Sequence, residues 1–171
     1  YLAILKKVCR IAYKEGYAER CHFANFTLPQ KTERTPRALS REDFEKIRDV
    51  EIPAWRTTHI LVRDLFLFAC YTGTAYADAV SVTRDNLYTD DEGCLWLKYR
   101  RQKNELRASV KLLPEALALI EKYHDENRPT LFPMIYHPNL RRHMKSLAVL
   151  AGVSSTLCYH QARHSFASLI T

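Results

Sequence analysis

The 171-residue sequence predicts a mainly α-helical fold that carries a small antiparallel β-hairpin or three-stranded sheet. Three observations lead to this class. Apolar residues recur at helical spacing along most of the chain. One pair of segments instead alternates with the period of two that a strand requires, Cys94 to Arg101 answered by Ala108 to Leu113 across a polar turn. Glycine or proline stands where the helical patterns stop or start, at Gly16, Gly73, Pro114, Pro138 and Gly152.

Taken in order, Leu2, Leu5, Val8, Cys9 and Ala12 read as a helix ending near Gly16, with Lys6, Lys7, Arg10 and Lys14 between the apolar positions. Residues 1–22 are expected to be the end of a preceding helical domain. Periodicity is lost over 23–37, where Pro29, Lys31, Thr32, Arg34, Thr35 and Pro36 make a basic linker. Residues 38–171 are the expected compact domain. It opens with Ser40 as a helix N-cap and Asp43 three residues on, where a carboxylate suits the free amide groups. Residues 58–71 predict a nearly buried helix, since Ile60, Leu61, Leu65, Phe66, Phe68 and Ala69 leave few positions for solvent. A short helix is expected near Ala77 to Val80, then the hairpin with its turn at Gln102 to Leu106. Helices follow from Pro114 to about Tyr123, from Pro138 to Ala151, and from about His160 onward.

Composition narrows the function classes. The length and 47% hydrophobic content support one good-sized core. A net charge of +7, from 26 Lys and Arg against 19 Asp and Glu, favours a polyanionic partner, with nucleic acid ahead of an acidic protein or a membrane surface. The five cysteines are odd in number and never form a Cys-x-x-Cys pair, so neither a disulfide framework nor a zinc site is indicated, and a reducing cytoplasm fits. His137 and His143 find no acid at metal-ligand spacing, so no metal and no cofactor are assigned. The apolar runs are too short to cross a bilayer. The sequence begins without Met and opens inside a helical pattern, which reads as a fragment at both ends.

Three motifs carry chemistry. They are Thr72-Gly73-Thr74-Ala75-Tyr76-Ala77-Asp78, Lys103 in a basic hairpin turn, and His160-Gln161-Ala162-Arg163 at the start of the last helix. Cutting a phosphodiester without a metal calls for cationic donors fixed around the non-bridging oxygens, where charge builds in the transition state. Arginine's planar fork gives two hydrogen bonds to a phosphate and keeps its proton. A positioned lysine can protonate the leaving 5′ oxygen. His160 and Arg163, three residues apart, project from one helix face. A His-x-x-Arg pattern alone is weak evidence, and a lysine in a basic turn is ordinarily a solvated charge. The order of all three, followed by His164-Ser165-Phe166-Ala167, resembles the catalytic domain of the tyrosine recombinases of the phage-integrase type.

That resemblance implies a site-specific recombinase of a mobile element, which cuts and rejoins double-stranded DNA through a 3′-phosphotyrosine. It assigns catalytic roles to Lys103, His160 and Arg163 and a supporting role to Asp78, which would brace Arg163 or His160. It further implies a homotetramer on two duplexes, accessory DNA-bending proteins as candidate partners, no membrane partner and a bacterial, cytoplasmic, nucleoid-associated location. The nucleophilic tyrosine and a second histidine or tryptophan are expected beyond Thr171, because Tyr76, Tyr136 and Tyr159 suit packing or DNA contact better than attack. The sequence departs from the family at Ala75, which occupies the place of an arginine in the pattern Thr-Gly-x-Arg-x-x-Glu. Arg101, two residues before Lys103, is the candidate substitute, because residues i and i+2 on a strand share a side while Arg100 faces away. Arg100, Arg107, Arg141, Arg142 and Lys145 are the candidate DNA-backbone contacts. Other readings are a DNA-binding protein that keeps the fold without the chemistry, a topoisomerase with related machinery, and a helical interaction domain with a coincidental motif set.

Overall fold

Most of the helical spacing becomes helix in a computed structural model, which describes residues 2–27, 38–153 and 157–170. Residues 28–37, where most of the basic linker was expected, lie outside the described residues. The chain divides into two units, residues 1–35 and 36–171. In the first, α1 (Leu2–Lys14) is amphipathic, and Gly16 closes it at φ 77°, a left-handed conformation suited to glycine. Lys6 Nζ donates to the Phe26 carbonyl, and Phe23 meets Phe26 edge to face at 5.9 Å. The apolar residues Leu2, Ile4, Leu5, Val8 and Ile11 are exposed.

The second unit starts at α2 (Arg41–Asp49), where Ser40 Oγ accepts the Asp43 amide at 3.1 Å, the expected N-cap. Its centre is α3 (Thr57–Thr72), buried along most of its length because eight of its residues from Val62 to Cys70 face other elements: Val62, Asp64, Leu65, Phe66, Leu67, Phe68, Ala69 and Cys70. Around it pack α5 (Pro114–Lys122), α6 (His137–Leu150) and α7 (Tyr159–Ile170). Leu140, Met144 and Leu147 form the inward line of α6, and Phe68 meets Phe132 with ring centroids 4.7 Å apart. Full burial of Phe66, Phe68 and Phe132 contributes about 1.5–3 kcal/mol per side chain.

The sheet has three antiparallel strands in the order β1 (Leu87–Thr89), β2 (Leu95–Arg100) and β3 (Arg107–Lys111). The register pairs Leu97 with Val110, Tyr99 with Ala108 and Arg100 with Arg107. Arg101 lies just beyond β2, so the alternation argument that placed it on one side with Lys103 does not apply; residues 101–106 form a turn closed by Arg101 N to Leu106 O at 2.9 Å. Glu105 takes φ 55° to complete that turn.

Asp64, on α3, has 1% of its surface exposed and satisfies three donors. Arg63 Nε lies at 2.9 Å from Oδ1, while Lys122 Nζ and the Tyr123 hydroxyl lie at 2.6 and 2.8 Å from Oδ2. This network ties α3 to the end of α5.

Gly73 ends α3 at φ 67°, and a Cβ built there would stand 2.9 Å from Phe166 Cδ1 on α7. Gly152 ends α6 at φ 65° with open space around it. Gly152→Ala is expected to cost about 1–2 kcal/mol from backbone strain alone, and Gly73→Ala about 1 kcal/mol more from the Phe166 contact. Urea unfolding of both variants checks this. Equal losses would show that Phe166 yields without cost.

Candidate active-site groove

The elements bring three of the expected cations, Arg101, Arg107 and Arg163, into one groove. Arg163, from the second turn of α7, and Arg101, from the start of the hairpin turn, line a groove of 710 Å³ together with Thr72, Gly73, Tyr99 and Phe166. Gly73 is needed here because a side chain would meet Phe166. The Thr72 hydroxyl donates to the Phe68 carbonyl at 2.6 Å and lies 3.0 Å from the Thr74 hydroxyl, which fixes the segment after α3.

Arg101 is half-buried, and its Nε is sequestered from solvent without a hydrogen-bond partner among the described residues. Tyr99, 7% exposed, stands beside it. Burial and then the Asp78 charge push the Tyr99 hydroxyl pKa up, while Arg101 and Arg163 pull it down. Tyr99, Asp78, Arg101 and Arg163 therefore form one electrostatic cluster. Sequence reasoning missed Tyr99; its inward place on β2 was readable from the alternation, but its position beside two arginines depended on tertiary packing.

Lys103 and His160 are exposed. His160 packs edge to face on His164 at 4.6 Å. Its pKa is lowered, first by partial burial and then by the charges of His164, Arg163 and Lys103, which favours the neutral imidazole near neutrality.

Asp78 differs from expectation in its partner. It lies on α4 (Tyr76–Ala79), is 3% exposed, and its Oδ1 accepts the Gln102 backbone amide at 3.0 Å. The hydrogen bond thus holds the turn that carries Lys103, where a brace for Arg163 or His160 was expected. Ala75 is the half-buried N-cap residue of α4, one turn before Asp78. It adds no charge.

The tyrosines are held elsewhere. Tyr159 donates from its buried hydroxyl to the Leu65 carbonyl at 3.0 Å, and burial raises its pKa well above the ordinary value. The Tyr76 hydroxyl donates to the Ile135 carbonyl and accepts the Ile135 amide at 3.0 Å. Tyr136 is exposed at the N-cap of α6.

Of the expected DNA contacts, Arg100 and Arg107 are exposed and paired across β2 and β3, while Arg141, Arg142 and Lys145 are exposed on α6, which contributes nothing to the groove lining. His143 has a partner that the sequence did not reveal: its Nδ1 lies 3.4 Å from His59 Nε2, which is also 3.1 Å from Ser146 Oγ. Both histidine pKa values are lowered, first by burial and then by neighbouring positive charge. Among the described residues, Asp90, Glu92 and Cys94 bring ligand atoms within 4.8 Å of one another. The Asp90 carboxylate is already engaged there by the Glu92 and Cys94 amides and the Trp96 indole, an arrangement that shapes the turn before β2.

A buried central helix flanked by others, with a three-stranded antiparallel sheet at the groove, is the fold of the tyrosine recombinase catalytic domain, as in lambda integrase. A lambda integrase dimer bound to a COC′ core site matches with TM-score 0.75 and 17% identity over 98% of this chain and 63% of that one. The XerH site-specific recombinase bound to its difH substrate matches with TM-score 0.57 and 20% identity over 78% of this chain and 42% of that one. These are likenesses of fold. In sequence, the chain is 25% identical to the tyrosine recombinase XerD of Chlorobaculum tepidum, over 84% of this chain and 51% of XerD. It therefore spans about half the length of that curated relative. No family model matches. The curated relative is a tyrosine recombinase, and the solved structures that share this fold are site-specific recombinases and integrases.

Proposed function

We propose that residues 38–171 are catalytic-domain sequence of a site-specific DNA recombinase that serves a mobile element, and that residues 1–22 end a preceding DNA-binding domain. The observation that carries this reading is the convergence of Arg101 and Arg163 on one groove, beside a turn that presents Lys103. Arg163, Arg101 and His160 hold the non-bridging oxygens of the scissile phosphate. A tyrosine hydroxyl from sequence outside this chain attacks the phosphorus, the bond to the 5′ oxygen breaks, and Lys103 gives that oxygen its proton. The products are a 3′-phosphotyrosine and a free 5′ hydroxyl. Attack by the 5′ hydroxyl of a partner duplex reverses the step and completes exchange without an external energy source.

Arg100, Arg107, Arg141, Arg142 and Lys145 contact the DNA backbone in this reading, and the complete protein assembles as a homotetramer on two duplexes. A lambda integrase tetramer bound to a Holliday junction, which this chain matches with TM-score 0.73 and 17% identity, supports that assembly. Accessory DNA-bending proteins and action on bacterial cytoplasmic DNA belong to the same proposal.

The test is trapping on a suicide DNA substrate, with the chain extended to include its nucleophile and with a variant that lacks that tyrosine. A covalent adduct that disappears in the variant is expected. Ala75 favours a second reading, a DNA-binding protein without the chemistry. Salt-sensitive binding to a verified cognate site, with no adduct, would establish that alternative.

A further inference from the structure

We infer that Ser165 is a positioning residue of the groove: its buried hydroxyl ties the segment that opens the second unit to α7 and so fixes the rotation at which that helix presents His160 and Arg163. The inference rests on the recombinase reading for the reaction that is served, and adds to it a residue that touches neither DNA nor the reacting atoms.

Ser165 stands in the second turn of α7 with 0% of its surface exposed. Serine is a poor residue for a helix interior, because its hydroxyl competes with the backbone and it has little apolar area to bury. Here the hydroxyl donates to the Gln161 carbonyl, four residues back, at 2.9 Å, which commits its proton and leaves its oxygen to accept. The Leu39 amide, 126 positions away in sequence, donates to that oxygen at 2.9 Å. Leu39 is itself buried and lies just before the Ser40 N-cap of α2, outside any helix or strand. A buried amide in such a place needs an acceptor, and α7 provides one. The Gln161 side chain in turn accepts the Cys158 amide at 2.8 Å, where α7 begins. Hydrogen bonds therefore run from Leu39 through Ser165 and Gln161 to Cys158, and they bracket both His160 and Arg163.

Two other contacts hold α7 against α3. The Tyr159 hydroxyl donates to the Leu65 carbonyl at 3.0 Å, and Phe166 lies against Gly73. A helix held along one line can still turn about it, and a bond on another side stops that turn. Phe166 lines the groove beside Arg163, whereas Ser165, two positions from Arg163, is about 200° away around the helix and holds it from behind. At a side-chain radius of about 5–6 Å, a rotation of roughly 10° moves a group by about 1 Å. A misplacement of that size can cost about 10²-fold in rate when the group must meet a transition state.

The test measures single-turnover cleavage of a suicide DNA substrate, at saturating DNA and well below the melting temperature, in the protein extended to its nucleophile. It compares the parent with Ser165→Ala, Ser165→Thr and Asp64→Ala, the last being a stability control that loosens α3 from the end of α5. Ser165→Ala deprives the Leu39 amide of this acceptor and is expected to lower the melting temperature by about 2–10 °C. It is also expected to slow cleavage about 10–10²-fold while DNA affinity stays within about twofold of the parent. Asp64→Ala is expected to melt as low and to cleave at the parent rate. Ser165→Thr keeps the hydroxyl and is expected to cleave near the parent rate. A Ser165→Ala rate no lower than that of Asp64→Ala would overturn the positioning role and leave the recombinase reading standing, as would slow cleavage by a Ser165→Thr variant that melts with the parent. Absence of an adduct from the parent itself would remove the recombinase reading, and the positioning role with it.

Discussion

Arg101→Ala is expected to slow DNA cleavage by about 10²–10³-fold in the protein extended to its nucleophile, the usual cost of removing one preorganised donor from a developing oxyanion. The expectation comes from a donor without an acceptor. Arg101 Nε is buried and unpartnered among the described residues, although an unmet buried donor costs about 1–3 kcal/mol and is ordinarily selected against. A phosphate in the groove would supply the acceptor and recover that cost at the moment of binding. Ala75→Arg, introduced into the Arg101→Ala background, is expected to restore part of the rate, because residue 75 opens the helix whose Asp78 is bonded to Gln102, the neighbour of Arg101. Single-turnover cleavage with saturating DNA separates the chemical step from binding. Intact cleavage in Arg101→Ala, with cleavage abolished in Lys103→Ala, would remove Arg101 from the site.

Asp64→Ala is expected to destabilise the second unit by about 2–3 kcal/mol, somewhat below the ~3–5 kcal/mol typical of breaking a fully buried ion pair. The discount follows from the side chains left behind, since Arg63 retains 19% and Lys122 45% exposure and can turn toward water. Tyr123 loses its acceptor as well. Asp64→Asn keeps the shape and one acceptor oxygen and should lose about half as much. At roughly 2–4 °C per kcal/mol for a chain of this size, the alanine variant should melt about 4–12 °C below the parent. A loss under 2 °C would mean that the three donors find other partners at no cost.

Much of the fold could be read because local signals agreed with the tertiary result. Ser40 capped a helix, Gly73 and Gly152 ended two, and the alternation around Lys103 gave a hairpin. The short β1 was not located in advance, since three residues carry too little pattern to separate from a loop. Within the site, strand alternation points to Arg101, but the residue lies off β2, in the turn that follows, and lines the groove with Tyr99 from there. The bonds from Asp78 to Gln102 and from Asp64 to Lys122 span 24 and 58 positions, and no local period can announce a contact at that separation. The pairing of His59 with His143 was hidden for the same reason.

The hydrogen bond from Gln102 to Asp78 gives the groove a frame independent of the charges mounted on it. Its donor is a backbone amide, so the turn is held whichever side chains the turn carries. Cations can therefore be exchanged among neighbouring positions while the backbone that presents them keeps its place. An alanine at position 75 and an arginine at 101 are then two independent changes on one chassis, and neither requires the other to keep the protein folded. A lineage could pass through an intermediate with both arginines, or with neither, and lose rate before it lost structure.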